Sequence, residues 1–272
     1  MITLRSSDEL AKLERASQVV LETLEVLEAA VQPGATTADL DRIAEEEIRR
    51  RGAVPAFLGY RGFPKTLCTS INDEVVHGIP GKRSLKEGDI VGVDCGAIVD
   101  GYYGDAARTI PVGRIDAERQ QLLAVTRQAL EAGIAAASAG ARVSDIGAAI
   151  ELLAIRHGYG VVRDFVGHGV GTALHEEPQV PNYGPGGRGA ILKPGMVIAI
   201  EPMFNLGRAE VKVDRDGWTV RTRDGSASAH FEHTVAIGRS GGVVLGRGQL
   251  SQLFRVESAV ASIEPPISAV GV

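Results

Sequence analysis

The 272-residue sequence has few cysteines, few aromatic residues and no excess of positive charge. Its only two cysteines, Cys68 and Cys95, lie in strand-like stretches, which is typical of reduced thiols in a cytoplasmic protein. A net charge of −5 without a basic cluster argues against nucleic acid as a partner. No apolar run is long enough to span a membrane, and the charged N-terminus does not resemble a signal peptide.

The remaining composition is that of a folded globular protein. At 44% hydrophobic and 23% charged residues, the chain can bury a substantial core. We predict one α+β domain over residues 1–249, with halves of about 1–110 and 111–249. The tail at 250–272 contains Pro265-Pro266, and the sequence does not show its role.

Two segments of the chain are nearly the same, and each ends on an acidic residue. LKEGDIVGVD at 85–94 is echoed by LKPGMVIAIE at 192–201, and the helix-like segments 34–52 and 140–158 precede them in the same order. Such an internal repeat indicates two copies of one supersecondary unit. A carboxylate that ends an apolar strand is costly to bury unless it is paired or binds a metal. The echo therefore predicts that Asp94 and Glu201 share one site.

Local patterns predict helix pairs followed by strands in each half. A capping box at Ser6 and Glu9 begins the first helix, and Thr37 or Asp39 begins a second that ends near Gly52. The later helices are predicted from Asp116 to about Ala137 and from Ser144 to about His157. Predicted strands cover 66–71, 89–99, 161–166 and 196–200, with later turns at 216–217 and 224–225.

A two-residue turn at Asp100-Gly101 sets the register of a hairpin. Counting back from this turn places Gly96 opposite Asp105, and Asp94 on the same face as Gly96. The two aspartates are then diagonal neighbours, roughly 7–8 Å apart at the backbone. Like charges at this distance repel and raise one pKa unless cations lie between them.

Five side chains form the candidate metal-binding set. They are four carboxylates and one imidazole within a glycine-rich loop: Asp94, Asp105, His168, Glu201 and Glu232. An oxygen-rich set of this kind suits Mn²⁺, Fe²⁺ or Co²⁺ with open positions better than a closed zinc site. Four negative ligands would balance two divalent cations, which together can activate water. Taken singly, each residue also has an ordinary structural explanation, such as a hydrogen-bonded acid in a strand.

At these residues the chain resembles methionine aminopeptidases of the short, type I bacterial form, up to about Leu245. The family's segments stand here as INDEVVHGIP at 71–80, GHGVG at 167–171, HEEP at 175–178 and IEPM at 200–203. The resemblance implies the pita-bread fold, with pseudo-twofold duplicated αα-ββ halves around an antiparallel sheet. It also implies removal of N-terminal methionine by attack of a metal-bridging water on the first peptide bond, favouring a small second residue.

The resemblance further implies two divalent ions per chain, cobalt, manganese or iron. Asp94, Asp105 and Glu232 would hold one, and Asp105, His168, Glu201 and Glu232 the other. It gives roles to two histidines, His77 at the scissile amide and His175 at the carbonyl. Glu201 is the predicted general base, because it ends an apolar strand where its acidity can be tuned. The methionine side chain would lie among Tyr60, Phe63, Cys68, Leu174 and Trp218.

The chain departs from well-known members at two positions of this pocket. Leu174 stands where an aromatic residue is common, and Phe57 where a smaller one often is. His157, His230 and His233 receive no functional role. The implied partners are N-termini of nascent polypeptides, with a transient ribosome contact as an open alternative, and the expected state is a monomer.

Three alternatives remain, of which two are enzymes. A proline-specific peptidase or creatinase-like hydrolase would share the fold, but such relatives usually carry an additional N-terminal domain. A non-catalytic pita-bread protein would bind peptides without cleaving them, and it would tend to lose metal ligands, of which none is lost here. A type II aminopeptidase would carry a helical insertion late in the chain, where the short step from His175 to Glu201 leaves little room.

Overall fold

The computed structural model describes residues 1–239 and 241–254. It contains the α-helices α1 (Ser7–Ala30), α2 (Thr37–Arg50), α3 (Ala117–Ala136), α4 (Val143–His157) and α5 (Ser251–Phe254), and a 3₁₀ turn at Tyr60–Gly62. Its strands are β1 (Val54–Pro55), β2 (Leu67–Ile71), β3 (Glu74–Val76), β4 (Ile90–Val99), β5 (Tyr102–Pro111), β6 (Gly160–Val161), β7 (Gly167–Gly169), β8 (Glu176–Val180), β9 (Val197–Ile200), β10 (Met203–Asn205), β11 (Val211–Val213), β12 (Val220–Thr222), β13 (Ser228–His230), β14 (Glu232–Ile237) and β15 (Gly242–Val244).

The helices begin where the sequence supplies capping side chains. Ser6 and Glu9 form the predicted capping box, and Asp116 accepts a hydrogen bond from the backbone N–H of Arg119. These two predicted N-termini are confirmed. The prediction that Ser144 begins α4 is wrong, because Arg142 is the N-cap residue and its backbone N–H is satisfied by the Asp145 carboxylate. The sequence pattern did not show whether Ser144 caps the helix or whether Asp145, within the first turn, accepts the hydrogen bond from the cap residue.

One antiparallel nine-stranded sheet forms the centre of the fold. Its main path runs β1-β4-β5-β14-β9-β7-β8, with β2 and β15 paired to β4 and β14. The two echoed segments form β4 and β9, which flank the central β5–β14 pair at equivalent positions. The repeated sequence therefore corresponds to equivalent places in the sheet.

The β4–β5 hairpin has the predicted register. Gly96 lies opposite Asp105 and Val99 opposite Tyr102, and both residues of the connecting turn have positive φ. A φ of 50° at Asp100 and 80° at Gly101 is the backbone of the tight turn that matches strand twist. The register prediction is confirmed.

Strand alternation separates the apolar face of the sheet from its acidic face. On β4, Val91, Val93 and Cys95 pack into the apolar core under α1 and α2. Asp94 lies between them in sequence and therefore projects to the opposite face. The second helix pair behaves in the same way: Ile198 and Ile200 of β9 join the core with α3 and α4, while Glu201 follows on the other face. In β4 and β9, the residues that pack under the helix pairs thus alternate with, and face away from, the two carboxylates.

The predicted strand at 161–166 is wrong for most of its length. Only Gly160–Val161 pairs, with β10, and residues 162–166 leave the sheet as irregular backbone. This segment bends toward the acidic face, where Phe165 contacts the edge of the His77 ring at a centroid distance of 5.4 Å. The residues of the C-terminal tail from 255 onward, with Pro265-Pro266, lie outside the described residues.

A search of the described residues found no helix that is both long and apolar enough to cross a bilayer.

Candidate metal centre and substrate cavity

The five proposed metal ligands come from adjacent strands of the central sheet. Asp94 and Asp105 lie on β4 and β5, His168 is the middle residue of β7, Glu201 follows β9, and Glu232 begins β14. These strands are neighbours because β14 pairs with both β5 and β9, and β9 pairs with β7. All five side chains line one cavity of about 330 Å³.

His168 reaches the acids because glycines flank it. A Cβ on Gly167 would collide with the carbonyl oxygen of Ala199, and one on Gly169 with that of Glu177. Only glycine permits β7 to lie this close to its neighbours. The His168 Nε2 then lies 3.5 Å from Glu201 Oε1 and 3.9 Å from Asp105 Oδ2.

The carboxylates have the properties expected of metal ligands. Ligand atoms of Asp105, His168 and Glu232 all lie within 4.8 Å of one another, and all three residues are buried. Asp94 Oδ1, Asp105 Oδ1 and Glu232 Oε1 are buried, with no hydrogen-bond partner in the part of the chain that the structure describes. Among the described residues, no lysine or arginine forms an ion pair with these acids or with Glu201. The residues therefore fit divalent cations, since uncompensated buried carboxylates are costly.

Electrostatics of the site agree with this fit. Burial raises the pKa of Asp94 to about 7. Burial and the neighbouring carboxylates also raise the pKa values of Asp105, Glu201 and Glu232 well above their usual range. Burial lowers the pKa of His168 to about 3, so its ring is neutral and can donate a lone pair to a metal.

The raised pKa of Asp94 predicts how the chelator-treated protein responds to pH. In the unfolded chain this carboxyl titrates near 4, so between about pH 4 and 7 the folded protein binds a proton that the unfolded chain has released. Its stabilising contribution is complete below about pH 4 and is lost as the pH rises through 7. We expect the melting temperature of the wild type, relative to Asp94→Asn, to fall between pH 5 and 7.5. Thermal unfolding in excess chelator measures this difference, and parallel curves for the two proteins would contradict it.

Two further histidines complete the inner part of the cavity. The Tyr60 hydroxyl lies 2.9 Å from His175 Nδ1, and the rings of His175 and His168 are 4.1 Å apart. Burial, followed by the charge of Arg61, lowers the pKa of His175. Burial lowers the pKa of His77 to about 4, and its φ of 60° is uncommon for a residue other than glycine. Strained backbone of this kind is concentrated at functional sites.

An apolar pocket adjoins the histidines. Ala56, Phe57, Phe63, Cys68 and Leu174 form a buried cluster, against which Tyr60 and Trp218 pack. The Trp218 ring lies edge-on to Phe63, with centroids 5.1 Å apart, and also approaches His77 at 6.5 Å. The structure thus brings every predicted site residue to the same cavity.

Some residues near the cavity were not found by sequence reasoning. Arg61, Asp164 and Phe165 also line it, and no local sequence signal marks them. His230 was left without a role, yet its Nε2 lies 3.8 Å from Glu201 Oε2 and 3.9 Å from Glu232 Oε2. No local sequence signal marks this contact, because His230 ends β13 of one sheet and Glu232 begins β14 of another.

Comparison with known proteins gives a consistent family. The model of metallopeptidase family M24 matches residues 11–239. The chain is 52% identical over 246 residues to a methionine aminopeptidase of Clostridium acetobutylicum, covering 90% of this chain and 98% of the relative. It is 49% identical to methionine aminopeptidase 1 of Bacillus subtilis, covering 91% and 100% of the two chains.

Solved structures give the same picture. The crystal structure of methionine aminopeptidase from Rickettsia prowazekii superimposes with a TM-score of 0.89 at 42% identity, covering 90% of this chain and all of that one. The enzyme from Thermotoga maritima also has a TM-score of 0.89, at 44% identity, and covers 90% of this chain and 99% of that one. Prolidase from Pyrococcus furiosus, at 22% identity and a TM-score of 0.70, is similar in fold alone.

Proposed function

This chain belongs to metallopeptidase family M24 and is a hydrolase that removes N-terminal methionine; from this premise we propose how its cavity binds metal, substrate and proton. Its fold is the pita-bread fold that the sequence predicts. The observation that carries the proposal is the group of buried acids around His168, whose unpaired oxygens have no cationic side chain to pair with in residues 1–239 and 241–254.

The proposed ligand sets are those that the family resemblance implies, and the cavity lining, which includes all five residues, supports them. Asp94, Asp105 and Glu232 would hold one divalent cation, and Asp105 and Glu232 together with His168 and Glu201 would hold the second. When bound, the two cations activate a water molecule and polarise the carbonyl of the first peptide bond. Manganese, iron and cobalt suit this oxygen-rich set with one imidazole.

Glu201 is the proposed general base. Its side chain is 12% exposed and lies beside His168, and its environment raises the pKa of the carboxyl, which favours uptake of a proton from the attacking water. Because Glu201 follows the rigid strand β9 directly, its position relative to the other acids is set by the sheet.

His175 is the proposed donor to the substrate carbonyl. The Tyr60 hydroxyl lies 2.9 Å from its Nδ1. When the hydroxyl donates to Nδ1, the hydrogen of the neutral ring is on Nε2. That hydrogen is then available to the oxygen on which negative charge develops during attack. In this role Tyr60 would donate to Nδ1 and so favour the tautomer with its hydrogen on Nε2.

His77 is the proposed contact for the scissile amide nitrogen. It is neutral near pH 7 because its pKa is about 4, and Phe165 and Trp218 hold its ring from two sides. A neutral imidazole both donates and accepts a hydrogen bond, as transfer of a proton to a leaving amine requires.

The adjoining apolar pocket is the proposed site of the methionine side chain. Its walls are aromatic and aliphatic and include the thiol of Cys68. A thioether makes favourable contacts with aromatic rings and adapts its shape to a narrow slot. The proposed substrates are N-termini of nascent polypeptides in the cytoplasm, with a small second residue, and the proposed state is a monomer.

A substrate panel tests this proposal. Protein reconstituted with Mn²⁺ or Co²⁺ is incubated with Met-Ala-Ser, Leu-Ala-Ser and Ala-Pro peptides, and the released amino acids are quantified. We expect release of methionine from the first peptide at a rate that chelator abolishes. Cleavage only before proline would favour the proline-specific alternative, and absence of cleavage would favour a binding protein.

Leu174→Ala is expected to weaken selection for methionine. Leu174 is only 2% exposed within the pocket cluster, so truncation widens the slot. One methylene in an apolar pocket is worth about 1–3 kcal/mol. The ratio of kcat/KM for Met-Ala-Ser over Leu-Ala-Ser should therefore fall by about tenfold. Leu123→Ala, which truncates a buried leucine in the other core, is the control and should leave the ratio unchanged.

A further inference from the structure

The imidazole of His230 is buried behind the metal centre with an unsatisfied nitrogen. His230 is the last residue of β13 and is 4% exposed, and its Nε2 has no hydrogen-bond partner among the described residues. Its main chain is held on both sides by Thr109 of β5: the His230 N–H donates to the Thr109 hydroxyl, and that hydroxyl donates to the His230 carbonyl, each at 2.8 Å. The ring is therefore anchored to the strand that carries Asp105.

The unsatisfied nitrogen faces two of the proposed metal ligands. His230 Nε2 lies 3.8 Å from Glu201 Oε2 and 3.9 Å from Glu232 Oε2. These separations are longer than a hydrogen bond by less than 1 Å, a gap that a small side-chain rotation closes. Buried donors are nearly always satisfied, and these two oxygens are the acidic atoms within reach.

Each glutamate divides its oxygens between His230 and the centre of the site. Glu201 directs Oε1 toward His168 at 3.5 Å and Oε2 toward His230. Glu232 directs Oε2 toward His230, while its Oε1 is buried without a partner. Both glutamates line the cavity. His230 thus approaches one oxygen of each carboxylate. The other oxygen of each carboxylate remains available to a cation.

We propose that His230 is a positioning residue that donates a hydrogen bond from Nε2 to the Glu201 and Glu232 carboxylates and so orients their remaining oxygens. The proposal rests on the proposed metal centre. Groups that hydrogen-bond to metal-ligating carboxylates restrict the orientation of those ligands, and their loss typically lowers metal affinity or activity 10–100-fold. His230 does not touch the substrate cavity, so its effect is on the ligands and on turnover rather than on substrate binding.

Two polar substitutions separate a donor role from packing. In His230→Gln the amide nitrogen reaches about as far as the imidazole Nε2, whereas in His230→Asn it reaches only as far as Nδ1. Both variants keep a buried polar side chain. His233→Gln is the matched control, because His233 is also a histidine of this segment but projects from β14 to the face opposite Glu232, where its Nε2 lies 3.0 Å from an Arg247 nitrogen.

The experiment measures metal binding and catalysis in full-length protein. Mn²⁺ titration calorimetry gives affinity, the visible spectrum of the Co²⁺-loaded protein reports ligand geometry, and Met-Ala-Ser hydrolysis gives kcat and KM separately. We expect His230→Asn to weaken Mn²⁺ binding and lower kcat by about tenfold or more, to change the Co²⁺ spectrum, and to alter KM by less than about twofold. His230→Gln should recover most of the affinity, and His233→Gln should match the wild type.

Two results would overturn the proposal. Wild-type affinity, spectrum and kcat in His230→Asn would show that the hydrogen bond is not used. Equal losses in the Gln and Asn variants would show that the imidazole acts by shape alone. Failure of the wild type to bind Mn²⁺ or to release methionine would instead reject the proposed function, and this proposal with it.

Discussion

Glu201→Gln is expected to lower kcat for Met-Ala-Ser by about two to four orders of magnitude while the fold is retained. The substitution keeps the shape of the side chain but removes the carboxylate that takes the proton from the attacking water, and positioned general bases contribute about 10²–10⁴-fold. Steady-state kinetics with saturating metal measures the effect, and KM should change far less than kcat.

Because Glu201 is also a proposed metal ligand, metal content decides how this result is interpreted. The metal bound per chain is determined for both proteins under the assay conditions. A large loss of kcat at wild-type occupancy supports the role as base. Normal turnover in a fully loaded variant would reject it, and a loss that follows missing metal would show that Glu201 acts as a ligand alone.

Asp105→Asn is expected to abolish tight metal binding and to reduce methionine release to background. Asp105 is the proposed bridge between the two cations, is 5% exposed, and has a buried Oδ1 without a partner. A ligand at 100 times its dissociation constant stabilises a folded protein by about 2.7 kcal/mol. At that Mn²⁺ concentration the free energy of unfolding of the wild type should rise by about this amount. The free energy of unfolding of the variant should hardly change.

Denaturant unfolding with and without Mn²⁺ measures this difference. Asp116→Asn is the control, because Asp116 caps α3 far from the acids and asparagine is also a good N-cap residue. Its response to Mn²⁺ should equal that of the wild type. If Asp105→Asn gained as much stability from Mn²⁺ as the wild type and retained turnover, the proposed bridging role would be wrong.

Much of the acidic face could be predicted from sequence because it depends on local periodicity. The Asp100-Gly101 turn set the β4–β5 register, and two-residue alternation then placed Asp94 and Asp105 on one face. The echoed segments became β4 and β9 at equivalent places in the sheet. Helix caps at Ser6 and Asp116 are likewise local events and were located correctly.

Other parts of the site depend on contacts between distant segments and were missed. The segment at 162–166 has a strand-like composition, but it leaves the sheet, and Phe165 packs against His77 instead. Tertiary contacts outweigh strand propensity in such segments. His230 was given no role because it approaches Glu201 and Glu232 only when the sheet that contains β13 packs against the central sheet.

The amino-acid sequence by itself determined the alternation, the turns, the internal repeat and the set of acids, and its motif segments carried the resemblance to the family. Tertiary structure alone decided that Tyr60 reaches His175, that Phe165 and Trp218 hold His77, and that His230 lies behind two glutamates. The physical reason is the separation along the chain of the residues that determine each feature. Backbone geometry repeats over two to four residues and can be read along the chain, whereas these contacts depend on how separate layers pack in space.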